Sequence, residues 1–228
     1  MTTTPASPPA RQAGYESARP DVQAHVPRDA RTILELGCSA GALGAALKRR
    51  QDVRILGVEL DPGHAEQARA LLDRVVVADA ETFLAAGPPP EAPFDCVICA
   101  DVLEHLVDPW SALARATALL RPGGIAIVSL PNVLFWGALL RVVRERRWPR
   151  DDEGIFDGTH LRWFTHDDAV DLLRGAGLEH VVVEPRYWVE GAALRRRRAL
   201  AHTPLAPFLA PQHVLDGMRP AAGRASPH

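Results

Sequence analysis

Lysine is nearly missing from this chain. Lys48 is the only one, so almost all of the 26 Lys and Arg residues are arginine, a mark of GC-rich bacterial codon usage rather than of function. Neither sign of charge dominates. The formal net charge is −2, and nothing in that balance points to a nucleic-acid partner. No run of about 18 apolar residues occurs, which excludes a spanning helix. Met1 to Gly14 is rich in Thr, Pro and Ala and lacks the apolar core of a signal peptide. It reads as a disordered leader, residues 1–14, on a cytoplasmic protein. Cysteine is scarce: Cys38, Cys96 and Cys99. Cys96-Val97-Ile98-Cys99 has C-x-x-C spacing, but it lies in an apolar strand pattern, where i and i+3 point to opposite faces. Buried free thiols are expected rather than a chelate or a disulfide. What remains is ordinary for a globular chain of 228 residues, 47% hydrophobic and 24% charged, enough for one sizeable core.

The most informative stretch is Ile33-Leu34-Glu35-Leu36-Gly37-Cys38-Ser39-Ala40-Gly41. An apolar run ends in an acidic residue and a glycine turn, then passes into the helical pattern Ala42 to Arg50. Strand, tight turn and helix N-terminus form the first unit of nucleotide-binding α/β domains. The glycines let the backbone approach a ligand and leave amide groups pointing at it. A second strand ends at Glu59, about 20 residues on, where a carboxylate can accept both hydroxyls of a ribose.

Strand and helix patterns alternate, which implies a parallel sheet covered on both faces. Strands are expected at Thr32–Leu36, Arg54–Glu59, Arg74–Ala78, Phe94–Ala100, Ile125–Leu130 and Leu178–Val183. Helices are expected at Gly41–Arg50, Pro62–Leu72, Ala80–Ala86, Pro109–Leu120 and His166–Gly175. Pro62 and Pro109 suit a first helical turn, each after a capping aspartate. Residues 132–165 break the alternation with a helical stretch, Val133 to Arg147, and then a polar–aromatic run. Placed after the fifth strand, at the ligand end of the sheet, this segment reads as a substrate-side lid. A further insert, residues 187–210, contains Arg195 to Arg198, read as a solvated helix face. Gln212–Met218 is a weaker strand candidate.

These residues resemble the class I S-adenosylmethionine-dependent methyltransferases, over roughly Tyr15 to Leu178. Glu35 to Gly41 is similar to the family's acidic, glycine-rich first motif, with Ser39 where the central glycine usually stands. Val58-Glu59-Leu60-Asp61, Ala78-Asp79-Ala80-Glu81, the run Phe94 to Leu106 and Leu120-Arg121-Pro122-Gly123-Gly124 resemble the later motifs. Ser129 to Val133 and Gly154 to Thr165 resemble a narrower bacterial group found with glycosyltransferases in polysaccharide or glycosylated-metabolite pathways. Arg19-Pro20-Asp21, within residues 15–30, resembles that group's N-terminal lid. The resemblance implies a Rossmann-like seven-stranded sheet with helices on both faces and an antiparallel last strand, Gln212–Met218, hairpinned with Leu178–Val183. It also implies S-adenosyl-L-methionine as cofactor, held by Glu35, Gly37, Cys38, Ser39, Gly41, Glu59, Leu60, Asp79, Ala80, Ala100, Asp101 and Val102.

Methyl transfer from a sulfonium is an in-line displacement with an activated leaving group, so the protein mainly positions reactants and excludes water. A base is needed for a hydroxyl or a protonated amine. His105 and His160 are the candidates, with ordering of the loop or packing of the insert as the alternative role of each. Tyr15, Asn132, Trp136, Asp157, Arg162 and Trp163 are candidates for the acceptor side. Asp157 and His160 lack a third ligand, so no metal is expected. Asp79 could instead cap its helix, and Asp101 and Glu104 could be ordinary loop carboxylates. The expected acceptor is a small molecule or a sugar or glycan, with a ubiquinone-type or other aromatic O-methyltransferase and a non-catalytic cofactor-binding partner as rivals. A homodimer is compatible with all three.

Overall fold

The computed structural model describes residues 17–187, 199–200 and 203–221. Tyr15, the leader and Arg195 to Arg198 lie outside the described residues. Seven strands form one sheet: β1 (Thr32–Leu36), β2 (Arg54–Glu59), β3 (Arg74–Val77), β4 (Phe94–Ala100), β5 (Leu120–Pro131), β6 (Glu179–Arg186) and β7 (Gln212–Met218). Their order is β3-β2-β1-β4-β5-β7-β6. The first five pair in parallel, whereas β7 runs antiparallel to both β5 and β6. The last strand thus lies inside the sheet and β6 forms the edge.

The helices are α1 (Pro20–His25), α2 (Ala42–Arg50), α3 (Pro62–Arg69), α4 (Ala80–Ala85), α5 (Pro109–Ala118), α6 (Trp136–Glu145) and α7 (His166–Gly175). Three start on an aspartate. Asp61 accepts from the amides of Gly63 and His64, Asp79 from Thr82 and Asp108 from Ser111. Each cap supplies an acceptor to otherwise unpaired first-turn amides, worth about 1 kcal/mol. Helix α7 starts with a reciprocal capping box between Thr165 and Asp168.

Period-2 alternation sorts the strand residues onto two faces. Leu34, Leu56, Val97, Cys99 and Val128 share one apolar cluster with residues of α4, α5 and α7. Ile33, Ile55, Cys96, Ile98 and Ile127 share the other with residues of α1, α2 and α3. Cys96 and Cys99 therefore face opposite layers, and all three cysteines are buried free thiols. A third, small cluster of Ala138, Ile155 and Phe156 belongs to the segment after β5 alone.

Candidate active site

The strand order reverses between β1 and β4, and the carboxyl ends of β2, β1 and β4 stand side by side there. That crevice is where open α/β sheets bind ligands. Gly37 and Gly41 have φ of +67° and +83°, in the region that favours glycine. A Cβ on Gly37 would fall 2.3 Å from Cγ2 of Val102, so the turn after β1 packs directly on the turn after β4. Two non-glycine residues in this crevice, Ser39 and Asp101, also have positive φ, +47° and +57°. Backbone strain of this kind collects at functional sites.

The turn amides do not point at open space as the glycine pattern suggested. Gly37 and Cys38 both donate to the Val58 carbonyl, at 2.8 and 3.1 Å, and Gly41 donates to Cys38 at 2.9 Å. The Ser39 amide donates to Glu59 Oε2 at 2.8 Å. The parallel neighbour β2 supplies the Val58 and Glu59 acceptors, a consequence of register that local sequence does not reveal. Glu59 also accepts from the Asp61 amide through Oε1 at 2.9 Å. Each oxygen of a carboxylate has a second lone pair, so Glu59 keeps acceptor capacity. Beside it, Leu60 is 68% exposed, an apolar surface next to a hydrogen-bonding carboxylate. Asp79 caps α4 through Oδ1 at the end of β3, and Ala80 is buried in that helix.

A cavity of about 750 Å³ opens beside this crevice. Glu35, Cys38, Ser39, Ala100 and Asp101 line it from the sheet; Phe135, Ala138, Asp157, Thr159 and His160 line it from the segment after β5. Glu35 is buried with Oε2 lacking a hydrogen-bond partner. Burial, with the nearby charge of Glu59, pushes its carboxyl up to about 8. Asp101 anchors a network. It accepts from Arg19, from Ser129 Oγ at 2.8 Å and from Gln212 Nε2. Arg19 reaches Ser129 at 2.8 Å and Asp21 at 3.1 Å, tying α1 across the ends of β4 and β5.

A 3-10 turn, Leu103–His105, follows β4. Its Glu104 is only 1% exposed, and neither carboxyl oxygen has a hydrogen-bond partner. Burial, then the charge of Asp101, raises its pKa well above the usual carboxylate range. The Glu104 carbonyl accepts from the amides of Leu161 and Arg162, at 2.8 and 3.0 Å, and thereby pins the later segment over the turn. His160 Nε2 lies 4.0 Å from Glu104 Oε1, and the rings of His105 and His160 meet edge to face at 4.7 Å. His160 Nδ1 is 3.2 Å from the Ile155 carbonyl. A carbonyl only accepts, so Nδ1 carries the proton and the Nε2 lone pair faces Glu104. Burial, then the neighbouring His105, lowers the His160 pKa. His105 Nδ1 lies 3.1 Å from Thr159 Oγ1, and Thr159 Oγ1 donates to Asp157 at 2.6 Å. Glu104, His105 and His160 each offer one potential metal-ligand atom within 4.8 Å of the others. That spread exceeds the roughly 3.4 Å between ligand atoms of a tetrahedral zinc site, so a cation would have to draw them together.

Other residues singled out from the sequence stand elsewhere. The Asn132 amide is spent on the carbonyls of Pro207 and Ala210. Trp136 is half exposed on the outer side of α6, because small Ala138 faces inward instead. Arg162 donates to the Val107 carbonyl at 2.6 Å, and the Trp163 indole donates to Ile155 while packing edge-on against Trp148. Arg19, Gln212 and the buried state of Glu104 were not foreseen. The Arg19-Pro20-Asp21 run was the one local signal.

A family model described as "Methyltransferase domain" matches residues 10–183. A ubiquinone biosynthesis O-methyltransferase of Cereibacter sphaeroides is 31% identical over 173 residues, which cover 71% of this chain. The match spans 65% of that relative's length. Among solved structures, a SAM-dependent methyltransferase from Archaeoglobus fulgidus aligns over 92% of this chain and 94% of its own, with a TM-score of 0.65 at 16% identity. One from Thermotoga maritima aligns over 91% and 90%, with a TM-score of 0.63 at 21% identity. At such identities these two structures speak to the fold.

Proposed function

We propose, from the premise that the chain belongs to the methyltransferase domain family, that it moves a methyl group from S-adenosyl-L-methionine to a hydroxyl of a small-molecule acceptor. The cofactor supplies an activated methyl on a sulfonium. The residues present fit it at both ends. The carboxylates of Glu59 and Asp79 beside exposed Leu60 suit the hydroxyls, amino group and flat ring of an adenosine. Glu35, with an orphaned buried oxygen, and Asp101 suit a cationic amino-acid end.

The observation that carries the choice of a hydroxyl is the setting of His160: buried, lining the cavity, its pKa lowered, with Nδ1 committed to the Ile155 carbonyl and Nε2 facing Glu104. Nε2 would take the proton of the acceptor hydroxyl, leaving that oxygen able to receive the methyl group the cofactor's sulfonium would supply. Burial favours the uncharged form of Glu104, a form that can donate a hydrogen bond to the acceptor oxygen. His105, held by Thr159, orients the acceptor. Asp157 and Thr159 offer polar contacts, and Phe135, Ile155 and Phe156 an apolar wall.

Two acceptor classes follow. A sugar or glycan suits the polar contacts and the resemblance of residues 154–165. A ubiquinone-type phenol is favoured by the Cereibacter relative and by the positions of Trp136 and Trp163, which do not line the cavity. A coupled assay for S-adenosylhomocysteine with catechols and with nucleotide sugars separates the two. His160→Ala is expected to lower kcat by about 10²- to 10⁴-fold with the cofactor Kd unchanged. An unchanged rate removes His160 from catalysis. Cofactor binding without turnover on any acceptor supports the non-catalytic rival.

A further inference from the structure

Helix α6 has two sides of different character. Its inner side lines the cavity through Gly137, Ala138 and Arg141. Its outer side carries Trp136, Leu140 and Val143, which are 50%, 53% and 72% exposed. These stand at i, i+4 and i+7, one face of a helix. Trp148, also exposed, follows the helix. A row of large apolar side chains left in water on one short helix is not an accident of composition.

The charges around this row all but exclude anions. Trp136 to Arg150 contains five arginines and a single carboxylate, Glu145. Glu145 and Asp151 both hold Arg141, at 2.9 Å each, on the cavity side. Arg144, Arg146, Arg147 and Arg150 are exposed at and beyond the C-terminal end of the helix. Arg147 comes no closer than 3.8 Å to Glu145. Of the next acids, Glu153 lines the cavity and Asp152 is exposed.

Apolar residues with tryptophan on one face, flanked by arginines, are what a helix lying in a lipid headgroup layer requires. We infer that the outer face of α6 docks on an anionic lipid bilayer, with Leu140 and Val143 entering the headgroup layer and Arg144, Arg146, Arg147 and Arg150 meeting the lipid phosphates. Nucleic acid would answer the arginines but leave the apolar row in water. The docked helix would be all that separates the bilayer from the cavity, about 10 Å. If the function proposed above holds, that placement suits an acceptor with a lipid tail; the docking itself does not depend on that function.

The test is co-sedimentation of the full chain with vesicles of phosphatidylcholine alone and of phosphatidylcholine mixed with phosphatidylglycerol. Binding is expected only to the phosphatidylglycerol vesicles and is expected to weaken with added salt. Leu140→Glu with Val143→Glu, and separately Arg144→Glu with Arg147→Glu, should each weaken binding by about tenfold or more. Both pairs are exposed, so circular dichroism and cofactor affinity should match the parent. No binding to anionic vesicles overturns the inference. So does binding that survives both pairs and is lost only when Arg195 to Arg198 are replaced. A parent that is dimeric in light scattering, becomes monomeric on Leu140→Glu and ignores vesicles would make this face a contact between copies instead.

Discussion

Glu35 sits in the first motif, yet its chemistry is set by surroundings that the motif does not show. Its carboxyl is raised to about 8 by burial, then by Glu59. The charged form is the penalised one, so Glu35 favours the fold fully below about pH 4.3, its unfolded value. That advantage is lost as pH rises through about 8. A cationic ligand end placed nearby reverses the penalty. Binding of S-adenosylmethionine near pH 7 should therefore release protons to the buffer. Calorimetric titration in buffers of different ionisation heat reads this directly, and Glu35→Gln should erase the buffer dependence. Equal heats in all buffers for the parent would refute it. Glu104 carries the same lesson. Leu-Glu-His reads as a loop, and only the fold reveals a carboxyl that is 1% exposed with no partner.

At the level of elements, α1 depends on contacts far along the chain. His25 Nδ1 is 2.6 Å from Asp216 and Nε2 is 3.2 Å from Glu184, on β7 and β6. The hydrogen bond to Asp216, more than any other cause, raises the His25 pKa. A raised histidine stabilises the folded state fully below its unfolded value of about 6.5, and that stability fades as pH rises through the folded value. His25→Asn should therefore lower Tm most at mildly acidic pH, by about 1–3 kcal/mol of stability. The gap to the parent should close in alkaline buffer. A pH-independent gap would show that His25 merely fills space. Where elements start from local chemistry the sequence was legible: the aspartate–proline starts of α3 and α5 stand where the pattern put them. Where pairing is remote it was not. The fifth strand is expected to start at Ile125, yet β5 begins at Leu120. Backbone bonds between Gly123, Gly124 and Arg219, nearly a hundred residues away, hold that stretch. Six-residue α1 has no periodicity to read, and the carboxylates that pair with Arg19 and His25 at Asp101, Glu184 and Asp216 lie more than 80 residues away.

On the scale of the whole molecule, the final strand is interior. β7 pairs on both sides, and its Val214 and Leu215 enter opposite layers of the core. Each such burial is worth about 1.5–3 kcal/mol. A chain ended before Gln212 should fail to give a cooperative thermal transition, because β6 loses the strand it pairs with. A sharp melt from that truncation would show that β1 to β5 suffice. The two large cores cover the sheet, whereas Ala138, Ile155 and Phe156 form a small core of their own in the segment after β5. That segment meets the turn after β4 through the backbone carbonyl of Glu104 and through the side chains of His105 and Thr159. With a core of its own, the segment is set into the molecule like a fitting in a socket. If it carries the acceptor contacts proposed above, a graft of residues 132–165 from a relative should bring the donor's acceptor preference with it.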